Sequence, residues 1–262
     1  FPYPIYFGIN KQKYKIYKNE KELTLYYKSK KIALVNNIEF YKINKDNYGR
    51  KIFGKNFKKH PYFKKFDKEN YIFLNYKVKK IFKLKLKKNL FISPRDFKKI
   101  IQKKTLASFH TRNVPHNCHK WIHEYLLKKY ESLLIQPLIG QYKKGEYKDA
   151  IILSLNKKIV SMYNKKQKVF VIPFFSYPRY GGPREAALHS LVRKNYGCTH
   201  FWVGRDHAGY KNFYQKYASQ KFCKKYQKKL GINIIAKNEP YYCRNKKKII
   251  NDCNCNVNCK IR

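Results

Sequence analysis

Acidic residues are scarce in this chain: 15 Asp and Glu stand against 61 Lys and Arg, a formal net charge of +46 over 262 residues. Small residues are scarce as well, with 8 Ala and 11 Gly, and there are 2 Trp and 1 Met. No uninterrupted apolar run approaches the roughly 18 residues of a helical membrane span, which excludes a transmembrane reading. Cysteine is present in an odd number, seven; Cys118, Cys198 and Cys223 are scattered, while Cys243, Cys253, Cys255 and Cys259 crowd the end. That distribution fits reduced thiols with a local metal knot better than a disulfide framework, and with it a cytoplasmic protein. A basic-then-apolar leader is also lacking, and the chain opens on Phe1, as expected of a piece of a longer chain.

Apolar residues make up 43% and aromatics 17%, enough for a buried core and too much for a disordered basic tail. The charge invites a nucleic-acid partner. Yet 52 Lys, 25 Ile, 23 Asn, 25 Tyr and 18 Phe account for 143 residues, and all five types can be encoded by A and T alone. An A+T-rich genome explains the lysines as solvated surface, so nucleic acid is not the expected partner. Clusters of Arg, Ala, Gly, His and Pro then mark places where chemistry resists that drift.

Residues 1–90 alternate strand-like runs at 23–27, 32–35, 71–74 and 78–84 with turns at Gly8, Asn36-Asn37, Gly49 and Gly54, and read as a small, mostly β domain. Ser93 and Pro94 form a helix start, with helix expected to Lys103. From there to residue 262, strands at 106–109, 133–137, 169–173, 199–203 and 232–235 alternate with helices at 118–129, 183–196 and 217–230. This predicts an α/β domain on a parallel sheet, with ligands outside the carboxyl ends of the strands.

Three clusters gather the drift-resistant types. The first, residues 110–119, holds His110, Thr111, Arg112, Asn113, His116 and His119. Two imidazoles three apart at a helix start share a face near unpaired N–H groups, which suits a phosphate chain, and Arg112 adds a bidentate oxyanion donor. A metal site from His116, His119 and His123 is the competing reading. The second, residues 178–189, has a Gly-Gly-Pro turn with Arg179, Arg184, Glu185 and His189; a structural turn with an Arg–Glu pair explains it equally well. The third, Gly204, Arg205, Asp206, His207, Ala208 and Gly209, reads either as a loop whose N–H groups face a ligand or as an ordinary Gly-bounded turn. Together these clusters supply oxyanion donors and imidazoles without a Ser/His/Asp or Cys/His pair, an inventory suited to phosphoryl-type transfer by positioning and charge stabilisation.

Thr-Arg-Asn at 111–113 with His116-x-x-His119, Arg-Tyr-x-Gly-Pro-Arg-Glu-Ala at 179–186, Arg-Lys-Asn-Tyr-Gly-Cys-Thr-His-Phe at 193–201 and Gly-Arg-Asp-His-Ala-Gly at 204–209 closely resemble the ATP sulfurylase (sulfate adenylyltransferase) family. The likeness extends to Ile52-Phe53-Gly54 with His60-Pro61, and to Pro137-Leu138-x-Gly140 with Lys143-Lys144-Gly145. The resemblance implies a PUA-like β domain followed by a Rossmann-like nucleotidyltransferase domain. It also implies reaction of ATP, accompanied by Mg²⁺, with sulfate to give adenosine 5′-phosphosulfate and pyrophosphate, the first step of sulfate assimilation. By matching position, Arg112 and the Ala208 backbone would hold sulfate, His116 and His119 would contact the ATP phosphates, Asn113 and Arg205 would assist, and residues 204–209 would line the nucleotide.

The chain departs from the family pattern in several places. His110 stands where the family has Gln, Val114 follows Asn113 in place of Pro, and Asn117 replaces an Arg. Cys243, Cys253 and Cys255 resemble part of the family's zinc site, with Lys246 where its second Cys would be, so a structural zinc is carried as an expectation. A homologue that binds nucleotide or RNA without turnover is the alternative, and a homo-oligomer is left open.

Overall fold

The structure, a computed structural model, describes residues 2–27, 29–69, 71–82, 92–101, 104–140, 147–164, 168–255 and 259–261. The expected strand end at Leu84, the expected helix end at Lys103 and the Lys143-Lys144-Gly145 segment lie outside the described residues. The chain divides into two compact units, Tyr3–Lys88 and Asn89–Arg262.

The first unit is built on an antiparallel sheet of β1 (Phe7–Ile9), β2 (Glu22–Tyr27), β3 (Lys30–Tyr41) and β4 (Ile72–Ile81), in the order β1-β4-β3-β2. Asn36-Asn37 is not the turn the sequence suggests. It lies inside β3, where the register against β4 shifts between Asn36 and Glu39 and Asn37 takes φ 51°, so the asparagines make a bulge. Among its described residues the unit also has α-helices that the β reading missed: α1 (Lys11–Tyr17), α2 (Lys45–Phe53) and α3 (Pro61–Lys68). Gly49 is within α2, where its missing side chain leaves room for the rings of Phe57 and Phe63. In α2 the buried residues Gly49, Ile52 and Phe53 recur at helical spacing, and α3 buries Phe63 and Phe66. The Lys, Tyr and Phe around them hide that period. Caps settle the starts: Asn44 accepts from Asn47 N–H at 2.9 Å, and His60 Nδ1 accepts from Tyr62 N–H at 3.2 Å ahead of Pro61.

The second unit opens with α4 (Pro94–Ile100), capped by Ser93, whose Oγ accepts from Asp96 N–H at 3.1 Å. A parallel sheet follows, built from β5 (Leu106–Thr111), β6 (Ser132–Gly140), β7 (Val169–Val171), β8 (Phe174–Ser176), β9 (His200–Trp202) and β10 (Asn233–Ile235). Its order is β10-β9-β5-β6-β7, and Pro173 separates β7 from β8, which pairs β6 further along. The connecting helices are α5 (Asn117–Lys129), α6 (Asp149–Val160), α7 (Gly182–Asn195) and α8 (Ala218–Leu230); α6 was not foreseen. Eight of the nine β6 residues are buried, as expected of a strand covered on both faces. One apolar layer packs Phe97, Leu134, Ala187, Phe201 and Cys223; the other packs Phe109, Leu126, Ile135 and Trp202. From β5 the chain builds β6 and β7 to one side, then returns past β5 to build β9 and β10 on the other. The direction therefore reverses between β5 and β9, which opens a crevice at their carboxyl ends. A small antiparallel sheet closes the unit: β11 (Tyr241–Cys243) between β12 (Lys248–Ile250) and β13 (Lys260–Ile261). Among the described residues, no helix is long and apolar enough to cross a membrane.

Candidate functional site

A cleft of about 690 Å³ occupies that crevice. His110, Thr111, Arg112, Asn113, His116 and His119 line it from the end of β5 and the start of α5, and residues 204–209 line it from the end of β9. Every cleft residue that the sequence singled out in the first and third clusters is thus brought to one place. Thr111 shapes the first loop, its Oγ1 accepting from Asn113 N–H at 3.0 Å, and Arg112 Nη1 donates to the Tyr180 hydroxyl at 3.0 Å. His116 caps α5 from an extended conformation without a side-chain cap bond. Its ring stacks on that of His119, with centroids 3.8 Å apart at 29°. Burial lowers the His116 pKa, and burial followed by His116 drives that of His119 down to about 3, so both rings are neutral near pH 7.

The second cluster supports the cleft as much as it lines it. Glu185, 2% exposed, accepts from the N–H groups of Arg179 at 3.1 Å and Gly181 at 2.8 Å. It therefore folds the 179–182 loop through backbone amides, and Arg184 turns away to lie over the Phe222 ring at 5.5 Å. Burial raises the Glu185 pKa, with those two amides acting against it. Gly182 N–H donates to Ala208 O at 2.9 Å, which ties this loop to the third cluster. There Ala208 has φ 55°, Gly209 N–H donates back to Asp206 O at 2.9 Å, and Ser219 Oγ donates to His207 O at 2.8 Å. Arg205 pairs with two carboxylates, Asp206 at 2.5 Å and Glu239 at 2.7 Å, so it reaches the cleft with its position fixed.

The sequence reading quoted Tyr180 within a motif without weighing it and passed over Lys237 and Glu239; all three line the cleft. Lys237 and Glu239 follow β10, so the rule that ligands sit at carboxyl ends of parallel strands was the available signal.

Two histidine sets are metal candidates, and in each at least one ring nitrogen is already engaged by another protein group. His123 is turned away from the cleft, its Nδ1 2.6 Å from the Tyr163 hydroxyl, so His116, His119 and His123 do not form a ligand set. His110, His189 and His207 do converge. However, His189 Nδ1 and His207 Nε2 share a hydrogen bond at 2.9 Å, and Arg193 Nη2 lies 2.7 Å from His110 Nδ1. A guanidinium beside these rings opposes a second cation.

The cysteine knot is different. Cys243, Cys253, Cys255 and also Cys259 bring their sulfurs within 4.8 Å of one another. The Cys243–Cys255 separation is 3.9 Å and the Cys253–Cys259 separation 3.6 Å. Four thiolates about 2.3 Å from one tetrahedral zinc stand about 3.8 Å apart, so the set fits that ion. Lys246, where the family resemblance led to a Cys, contributes its backbone N–H to Cys243 Sγ at 3.4 Å.

Comparison with known proteins gives the following. The ATP-sulfurylase family model matches residues 88–261 and a PUA-like domain model matches residues 1–81. A sulfate adenylyltransferase of Ignicoccus hospitalis is 30% identical over 256 residues, 96% of this chain and 67% of that protein. One of Hyperthermus butylicus is 38% identical over 152 residues, 58% of this chain and 39% of that protein. The chain thus spans about two thirds of the first relative and well under half of the second. In fold it is similar to a hexameric APS kinase from Thiobacillus denitrificans, with a TM-score of 0.67 at 12% identity, covering 99% of this chain and 46% of that one.

Proposed function

Because the chain belongs to the ATP sulfurylase family, with a PUA-like domain ahead of an α/β domain, we propose that its cleft transfers the adenylyl group of MgATP to sulfate, giving adenosine 5′-phosphosulfate and pyrophosphate. The observation that carries this is the convergence of residues 110–119 and 204–209 on one crevice at the reversal between β5 and β9. A sulfate oxygen attacks the α-phosphorus; the bond from that phosphorus to the bridging oxygen breaks, and pyrophosphate leaves with the electron pair. Sulfate arrives already deprotonated, so no general base is required. This agrees with a cleft in which Asp206 and Glu239 are held by Arg205 and Glu185 by backbone amides.

The obstacle is repulsion between two polyanions, which fixed donors relieve without reorganising during the reaction. Arg112 and the Ala208 N–H are assigned to sulfate. Asn113 and Arg205 assist, while His116 and His119, neutral and stacked, donate N–H groups to the phosphate chain. Residues 204–209 line the nucleotide. Zinc, when bound by Cys243, Cys253, Cys255 and Cys259, would tie the end of β11 to the residue that precedes β13 as a structural ion and take no part in the chemistry. Seven unpaired thiols support a cytoplasmic setting.

The test is pyrophosphate release from MgATP with and without sulfate, alongside ATP binding. Sulfate-dependent release is expected. ATP binding with no such release would refute the assignment.

A further inference from the structure

Arg193 on α7 has no exposed surface, yet among the described residues no carboxylate is paired with it. Its guanidinium lies over the rings of Phe174 at 4.6 Å and Phe201 at 5.3 Å. Nη1 donates to the His189 carbonyl at 3.3 Å, Nη2 lies 2.7 Å from His110 Nδ1, and Nε has no partner. Around it stand three imidazoles, His110, His189 and His207, all held neutral by burial and by the same guanidinium. Burying a cation is unfavourable unless a counter-charge or hydrogen-bond acceptors compensate. Here the acceptors are incomplete and no counter-charge is present among the described residues, while His110 both touches the guanidinium and lines the cleft.

The chemistry of that contact fixes the ring. A guanidinium has donors only, so His110 Nδ1 must accept, and the single proton of the neutral ring sits on Nε2. We propose that Arg193 is a positioning residue: it holds His110 as the Nε2–H tautomer, so that His110 donates a hydrogen bond to an oxyanion in the cleft, with the Arg193 charge acting through the ring. This rests on the sulfate assignment above for the identity of the oxyanion. It also accounts for how the chain departs from the family at this position. A Gln side chain offers an acceptor and a donor on neighbouring atoms, and a His held at Nδ1 offers the same pair across its ring. The buried charge of Arg193 then finds its balance in the bound anion.

The first test reads the tautomer. In protein labelled with ¹⁵N-histidine, with His110 assigned by its loss in His110→Gln, a long-range ¹H–¹⁵N spectrum should show the proton on Nε2 and should show that nitrogen move when sulfate is added. A proton on Nδ1, or no response to sulfate, overturns the proposal. This readout needs no turnover, so a protein without sulfate-dependent pyrophosphate release would refute the function while the spectrum still decides the tautomer and the anion.

The second test is kinetic. Arg193→Met should raise the KM for sulfate at least about tenfold while the KM for MgATP moves less than about threefold, a split that general loss of structure does not produce. His110→Phe should raise the sulfate KM more than His110→Gln does, and adding Arg193→Met to His110→Phe should cost less than it costs alone. Equal effects of Phe and Gln at 110 would overturn the proposal, and that comparison stands even where Arg193→Met fails to fold.

Discussion

Gly182 sits at the joint between the two loops of the cleft, and its replacement by Ala has a cost that can be divided into parts. Gly182 has φ +51°, and a Cβ there would meet the Tyr214 ring at 2.7 Å. A left-handed Ala costs about 1–2 kcal/mol, and overpacking against a ring costs about 1–3 kcal/mol more. Two other glycines separate these parts. Gly231, at the end of α8, has φ +64°, but its Cβ would meet only the end of the Lys194 side chain, which can swing aside. A Cβ on Gly204 would meet nothing within 4 Å, and that residue has no positive φ. The expected order of destabilisation is therefore Gly204→Ala below about 0.5 kcal/mol, Gly231→Ala about 1–2 kcal/mol, and Gly182→Ala about 2–5 kcal/mol. Urea unfolding followed by tryptophan fluorescence measures this, because both tryptophans, Trp121 and Trp202, lie in the second unit. At a typical slope of about 2 kcal/mol per molar urea, Gly182→Ala should lower the midpoint by about 1 M or more. If it falls within about 0.5 kcal/mol of Gly231→Ala, the Tyr214 contact contributes nothing and the packing argument fails.

Three further outcomes follow from the site. Burial drives the pKa of His119 to about 3, with His116 adding to it, and that of His207 to about 3, with Arg193 adding to it. In the unfolded chain these residues titrate near 6.5, so protons favour unfolding as pH falls below that value. Each contributes a loss of about 1 kcal/mol between pH 6.5 and 5.5, with His123 and His189 acting in the same direction; flat stability across that window, measured by urea titration, would contradict the neutral assignment. Tyr163→Phe strips His123 Nδ1 of its 2.6 Å partner when Nε2 already has none, and should cost about 1–3 kcal/mol by the same assay. Purified protein should carry about one zinc per chain, and Cys259→Ser should lower that content as read by atomic absorption; unchanged zinc in the variant would remove Cys259 from the ligand set.

What could be read from the sequence depended on how rare the informative residues were. His, Arg and Gly stand out against a background of Lys, Asn and Tyr, so residues 110–119 and 204–209 were visible, and their strands with them. Glu185 was visible too, but not its function, because a carboxylate facing two backbone amides looks in sequence like half of an Arg–Glu pair. Helices α2 and α3 were missed because Phe and Tyr favour strands as strongly as they fill helical cores, and Gly49 punctuated the pattern where it serves packing instead. Asn36-Asn37 carries the residue chemistry of a turn and is used for a bulge, a choice made by the pairing of β3 with β4. Arg193 was quoted within a motif and not weighed, since nothing in its neighbours along the chain shows that His110 lies beside it.

The placement of β5 in the middle of its sheet has a consequence for how the protein is made. Its partner β6 follows within a short stretch of chain, but its other partner, β9, pairs Ala107 with His200, and Thr199 Oγ1 clasps both N–H and C=O of Leu106 from 93 residues away. Half the cleft is therefore absent from a nascent chain until β9 and the loop after it leave the ribosome. Contacts of such long sequence separation slow folding, because the loop must close before any of them stabilises the product. Completion of the cleft is then a late event in the life of each molecule, because it waits for β5 and β9 to pair.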